Sequence, residues 1–127
     1  MRRSAIVTAM SQRTTCVTHG ADFLAAPDDL KVGLSRGAAA GSYPLNGLRH
    51  RPEPGTSGWF IWAGEAFSQD PDFFQPIHIA HLHSRLPEVI PYLGLAPGWR
   101  FLIAPGHIDV WLDPSLLAPV NGSASRP

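Results

Sequence analysis

Proline and glycine limit the length of every element this chain can form. Thirteen prolines and twelve glycines are spread through 127 residues, roughly one and a half times the average share. Proline inside a helix removes a backbone hydrogen bond and clashes with the preceding turn, and glycine there costs backbone entropy. Coiled coils and helical solenoids are therefore excluded, and short elements joined by turns are expected. The length suits a single domain. With 44% hydrophobic residues, the chain can bury a core, which excludes global disorder.

Charge and cysteine usage narrow the partners and the setting. Ten basic residues balance ten acidic ones, so the charge excess of a nucleic-acid binder is missing. The single Cys16 rules out an intrachain disulfide and a thiolate zinc cluster; it fits a reducing cytoplasm, and a cysteine-poor chain is also compatible with export. No apolar run reaches membrane-spanning length. The apolar stretch at residues 5–10 is too short for a secretory core. Residues 1–14 and 119–127 read as flexible tails around a domain at residues 15–118.

The local signals favour strands. Thr15-Cys16-Val17-Thr18 is β-prone, residues 21–26 suit a helical turn, and residues 30–34 alternate as a strand does. Residues 37–42 and 51–57 read as loops. Trp59-Phe60-Ile61-Trp62 is an aromatic strand stopped by Gly64. Asp70 before Pro71 suits a helix cap, and residues 75–82 alternate as an extended strand. Residues 87–93 suit a short helix, with Ser84 as a candidate cap, Glu88 in its first turn and Gly94 as terminator. Residues 99–103 and 108–112 flank Pro105-Gly106-His107 and form the clearest hairpin. Asp113-Pro114 then caps one helical turn. The expected fold is α+β: one mostly antiparallel sheet with one or two short helices on a face.

No pattern for catalysis or cofactor binding stands out. His78, His81 and His83 cluster in sequence, but neither strand nor helix spacing brings all three together, so no metal site is assigned. Cys16 beside valine reads as a small buried hydrophobe rather than a nucleophile. Nucleophile-elbow and phosphate-cradling motifs are missing. Asp70 and Asp113 are better read as caps than as acid–base partners of Asp72 and Asp109. Arg100 is placed to pair with Asp109 or Asp113. Trp59 and Trp62 are three apart, so on an ideal strand they face opposite ways and one of them reaches the surface or an interface. A non-enzymatic binding protein without cofactor is the expectation; a metal-binding protein or hydrolase built on the histidines is the alternative, and a housekeeping interaction domain a third.

An ordered set of segments resembles the immunity protein thirty-three domain family of bacterial polymorphic toxin systems. The set begins at Leu45-Asn46-Gly47-Leu48-Arg49-His50 and the Ser57-Gly58-Trp59 lead into the aromatic strand, which closes on Gly64-Glu65. It continues through Asp72-Phe73-Phe74, the strand read at Ile77–Leu82, residues 87–93, Pro97-Gly98-Trp99-Arg100-Phe101 and Asp109-Val110-Trp111, with Cys16-Val17-Thr18 and Lys31-Val32-Gly33 fitting the family's first strands more loosely. The sequence departs from the family at Arg51-Pro52-Glu53-Pro54-Gly55, where many members carry an Arg-Glu-rich segment. The resemblance implies a small intracellular protein that neutralises a cognate toxin, and it brings no catalytic residues.

The charge distribution suggests a surface for such a partner. Residues 59–118 hold two basic side chains, Arg85 and Arg100, against six acidic ones: Glu65, Asp70, Asp72, Glu88, Asp109 and Asp113. An aromatic anchor inside an acidic rim would steer toward a basic protein surface. The candidate contact residues are Trp62, Glu65, Asp70, Asp72 and Asp109.

Overall fold

A computed structural model describes residues 3–39, 41–64 and 72–117, with side chains from residue 11 onward. It is α+β. The strands are β1 (Lys31–Ser35), β2 (Leu45–Arg49), β3 (Thr56–Ala63), β4 (Phe74–His78), β5 (Trp99–Ala104) and β6 (His107–Leu112). They form one six-stranded sheet in the order β4-β1-β3-β2-β5-β6. All neighbours are antiparallel except β1 and β3. Helices α1 (Arg3–His19) and α2 (Ile79–Arg85) and a 3-10 helix at Pro87–Tyr92 supply the second layer; a further 3-10 turn spans Pro114–Leu117.

The core lies between this helical layer and one face of the sheet. Cys16, Leu82, Leu86, Val89, Leu93 and Leu95 meet Val32, Leu34, Leu45, Trp59, Ile61, Phe101 and Ile103. On β3 and β5 these strand residues recur with the period of two that a pleated strand imposes. Gly47 makes the centre of the sheet possible. The ring of Phe101, its partner in the register, lies where a β-carbon would stand, 2.2 Å away.

The N-terminal helix corrects the strand expected at Thr15–Thr18 and, at 17 residues, the expectation that every element is short; it also runs through the boundary between residues 14 and 15. The first nineteen residues contain neither proline nor glycine, so nothing interrupts a helix there. Gly20 ends it at φ 71°. The amides of Gly20 and Ala21 donate to Val17 O and Cys16 O, a Schellman arrangement. Contacts from outside hold the helix in place. Gln12 Nε2 donates to Ile90 O at 3.0 Å and Cys16 Sγ to Gly94 O at 3.3 Å. Cys16 is buried, as its sequence context suggested, but on a helix.

Other expectations also change. Residues 21–26 form no helical turn; Phe23 bridges to Leu95 instead. The strand expected over residues 75–82 ends at His78 and continues as α2. Ser84 lies inside α2, and the 3-10 helix after it starts from Leu86 with no side-chain cap. Residues 45–49, given no element from sequence, form a central strand. The Asp70–Pro71 cap and the C-terminal tail fall outside the described residues. The hairpin, the aromatic strand and the Asp113-capped turn appear where expected.

Candidate partner-binding surface

The family-like residues before β3 work together as one structural knot. Ser57 Oγ donates to Lys31 O at 2.8 Å and accepts the Trp59 amide at 3.2 Å. Gly58 has φ 88°, and a β-carbon there would stand 2.1 Å from His50 O, so only glycine fits. The β1–β3 register shifts between Lys31 and Gly33. This irregularity resets the side-chain alternation, so Ser57, Gly58 and Trp59 are buried in succession.

Arg49 is the centre of the knot. It is 1% exposed. Its guanidinium donates to Ser57 O, Leu24 O and Leu95 O at 2.8 Å, to Leu93 O at 3.1 Å and to Ala25 O at 3.4 Å. It also lies over the Trp59 ring, 5.6 Å from its centroid, and Trp59 Nε1 donates to Leu93 O. Burial lowers the Arg49 pKa to about 10, so it is cationic at neutral pH. A planar fork of five donors suits carbonyls converging from several segments, which a lysine could not match. The Ser-Gly-Trp signature and Arg49 therefore hold the fold together rather than meet a ligand.

The opposite face of the sheet carries a second row of apolar side chains. Phe60, Trp62, Phe74, Leu48, Leu102 and Trp111 alternate with the core residues along their strands. Leu48 and Trp62 are buried yet belong to no part of the main core cluster. Phe74 packs edge-on against Phe60 and Trp62 at 5.2 and 6.4 Å between centroids. Phe60, Leu102 and Trp111 remain half-buried. Helix residues of the core cluster meet the sheet's other face, so the helical layer leaves this one to its own aromatic packing.

The expectation that Trp59 or Trp62 reaches the surface is overturned: they are 1% and 4% exposed. They do face opposite ways: Trp59 lies in the main core, and Trp62 is buried on the second face, with Phe74 edge-on against it. Asp72 is exposed just before β4. It borders an open groove of about 430 Å³ with Ser35, Arg36, Gly37, Ala63 and Phe73, and its backbone oxygen accepts Arg36 Nε at 2.8 Å. Asp109 is exposed on β6, at the far end of the sheet. Five strand spacings separate the two ends, on the order of 24 Å, so Asp72 and Asp109 do not form one compact rim. Glu65 and Asp70 lie outside the described residues.

Asp113, Arg100 and His83 have local partners. Asp113 Oδ1 accepts from the Ser115 amide and hydroxyl at 3.1 and 2.6 Å, and Oδ2 accepts from Arg100 at 3.2 Å. The Ser115 hydroxyl, and then Arg100, hold its carboxyl below the usual range. Arg100 thus pairs with Asp113, not Asp109, and lies over the Trp111 ring at 5.4 Å. The histidines separate: His78 and His81 have centroids 6.4 Å apart beside an open groove, and His83 pairs with Asp28 at 3.0 Å. Among the described residues no three His, Cys, Asp or Glu side chains are grouped to hold a metal. Burial raises the Cys16 pKa, opposite to what a nucleophilic thiol needs. Sequence reasoning missed Arg49 and the second apolar row. A strand containing arginine and glycine gives no apolar alternation, and the row appears only once the strand register is known.

The family model of the Imm33-like domain matches residues 11–113. The chain belongs to that family. No curated protein and no solved structure matches it.

Proposed function

Taking the chain as an Imm33-like domain, we propose that it is a non-enzymatic immunity protein that binds and neutralises a cognate protein toxin in the cytoplasm of a bacterial cell. The observation that carries this reading is the family match across residues 11–113. The half-buried Phe60, Leu102 and Trp111 on the sheet face away from the helices support it, since aromatic side chains supply most of the contact energy in such interfaces. Asp72 and Asp109 add exposed negative charge at the two ends of that sheet, which favours a toxin with a basic surface. In this reading Trp62 packs against Phe74 within the aromatic row of that face, and Glu65 and Asp70 are further candidate contacts by charge alone. No described helix is long and apolar enough to cross a membrane.

The test is co-expression with the toxin encoded beside this gene. The expected result is restored growth and a complex that survives purification. Replacing Asp72 and Asp109 together by lysine should slow association and weaken its salt dependence, without altering the fold. Toxicity that persists, with no complex, would refute the proposal.

A further inference from the structure

The two ends of the sheet are built differently. At the β4 end, Ile79 N bonds to Leu30 O, so by antiparallel alternation residues 75 and 77 point their backbone groups at β1. Residues 74, 76 and 78 then point theirs outward. Position 76 is proline, so the open edge there lacks a donor at its centre, a common guard against strand addition. At the β6 end, Asp113 N bonds to Gly98 O at 2.6 Å, continuing the β5–β6 register. The backbone groups of Ile108, Val110 and Leu112 therefore face outward, away from every other described strand, and none is proline. Ile108 and Leu112 are also 54% and 48% exposed, among the largest exposed apolar side chains of the described residues.

From this geometry we propose that the open edge of β6 pairs antiparallel with the same edge of a second copy, about a twofold axis at Val110. The edge is self-complementary in one register. With Val110 opposite its own copy, Ile108 of each chain meets Leu112 of the other, and the outward backbone groups of all three residues are matched. On the other face Asp109 stands opposite Trp111, and His107 opposite Asp113. Sliding the pair so that residue 109 or 111 lies on the axis opposes carboxylates, Asp109 to Asp109 or Asp109 to Asp113, which is unfavourable. Moving the axis to Ile108 leaves three strand residues paired. The register centred on Val110 thus buries both exposed apolar side chains and opposes no like charges. This inference is independent of the toxin reading. A single short edge gives a small interface, so the dimer is concentration-dependent.

Sedimentation of the full chain across a concentration series tests the proposal. The expected result is a reversible rise from the 13.7 kDa chain mass toward twice that value. Ile108→Lys, at an exposed position, should weaken association about tenfold or more while the near-UV circular dichroism stays unchanged. The register is read with a short thiol cross-linker. Co-expressed Ile108→Cys and Leu112→Cys chains should join to each other, while either variant alone, with its thiols about 14 Å apart in the dimer, should not. A chain that stays monomeric throughout would overturn the proposal. So would a dimer indifferent to Ile108→Lys, or cross-linking of Ile108→Cys with itself.

Discussion

Replacing Arg49 by methionine should destabilise the protein by about 3 kcal/mol, and the sum can be worked from its contacts. Methionine keeps the apolar stem and removes the guanidinium. Leu93 O retains its bond from Trp59 Nε1, and the 3.4 Å contact to Ala25 O is weak. Ser57 O, Leu24 O and Leu95 O each lose a bond of 2.8 Å. Hydrogen bonds to a charged group contribute about 1.5–3 kcal/mol each, so the loss is roughly 5–9 kcal/mol. Removing a desolvated cation returns part of it. The fall in pKa from 12.5 to about 10 corresponds to roughly 3 kcal/mol. The net of about 2–6 kcal/mol is a large share of a typical domain's stability, and 3 kcal/mol lowers Tm by roughly 12 °C. Thermal and urea unfolding followed by tryptophan fluorescence measure it directly, because Trp59 lies under the guanidinium. The pH dependence adds a second check. A base whose folded pKa is lowered is disfavoured in its charged form, so the unfolded state binds more protons between the two pKa values and stability rises only there. Below about pH 10 the burial cost of Arg49 is constant. The gap between wild type and Arg49→Met should therefore be flat from about pH 6 to 9. A variant that melts within about 2 °C of wild type would show that the guanidinium does not hold these segments together.

Other consequences follow from single contacts. Gly47→Ala would place a β-carbon 2.2 Å from the Phe101 ring and should cost about 1–3 kcal/mol or more, read as a lower urea midpoint at unchanged slope. Cys16 is buried and burial raises its pKa, so the native thiol should resist a neutral-pH alkylating reagent and react only on unfolding. Asp113 has a lowered pKa. Its contribution to stability is present above the unfolded value and is lost as pH falls through the folded one. Asp113→Asn should accordingly melt lower than wild type at neutral pH and show a shallower acid decline.

Residues 99–112 show how much of this fold a sequence can carry. Two apolar alternations flank Pro105-Gly106, and Gly106 takes φ 73°. The hairpin needs nothing from the rest of the chain to be specified. Asp113-Pro114 is equally local, since the cap bonds two residues on. The helix α1 was partly legible: its freedom from proline and glycine was a signal, but β-branched Thr14, Thr15, Val17 and Thr18 pulled the reading toward a strand. Its buried Gln12 and Cys16 meet carbonyls 78 residues away, which no local window contains. For the candidate surface, the exposure of Asp72 and Asp109 was legible because both lie in polar or alternating contexts. The burial of Trp62 was not, because it depends on what covers the second face.

The sequence by itself determined the α+β class, the β5–β6 hairpin and the family, because these rest on spacing and turn chemistry within a few residues. Only the tertiary structure decided that Leu45–Arg49 is a central strand, that Arg49 is a buried knot, and that the sheet ends in one guarded and one open edge. The physical reason is the same in each case. A strand such as β2, with asparagine, glycine and arginine among its five residues, has little intrinsic preference for extension. Its neighbours supply the hydrogen bonds on both sides, the ring over Gly47 and the carbonyls around Arg49, and each of those partners lies elsewhere in the chain.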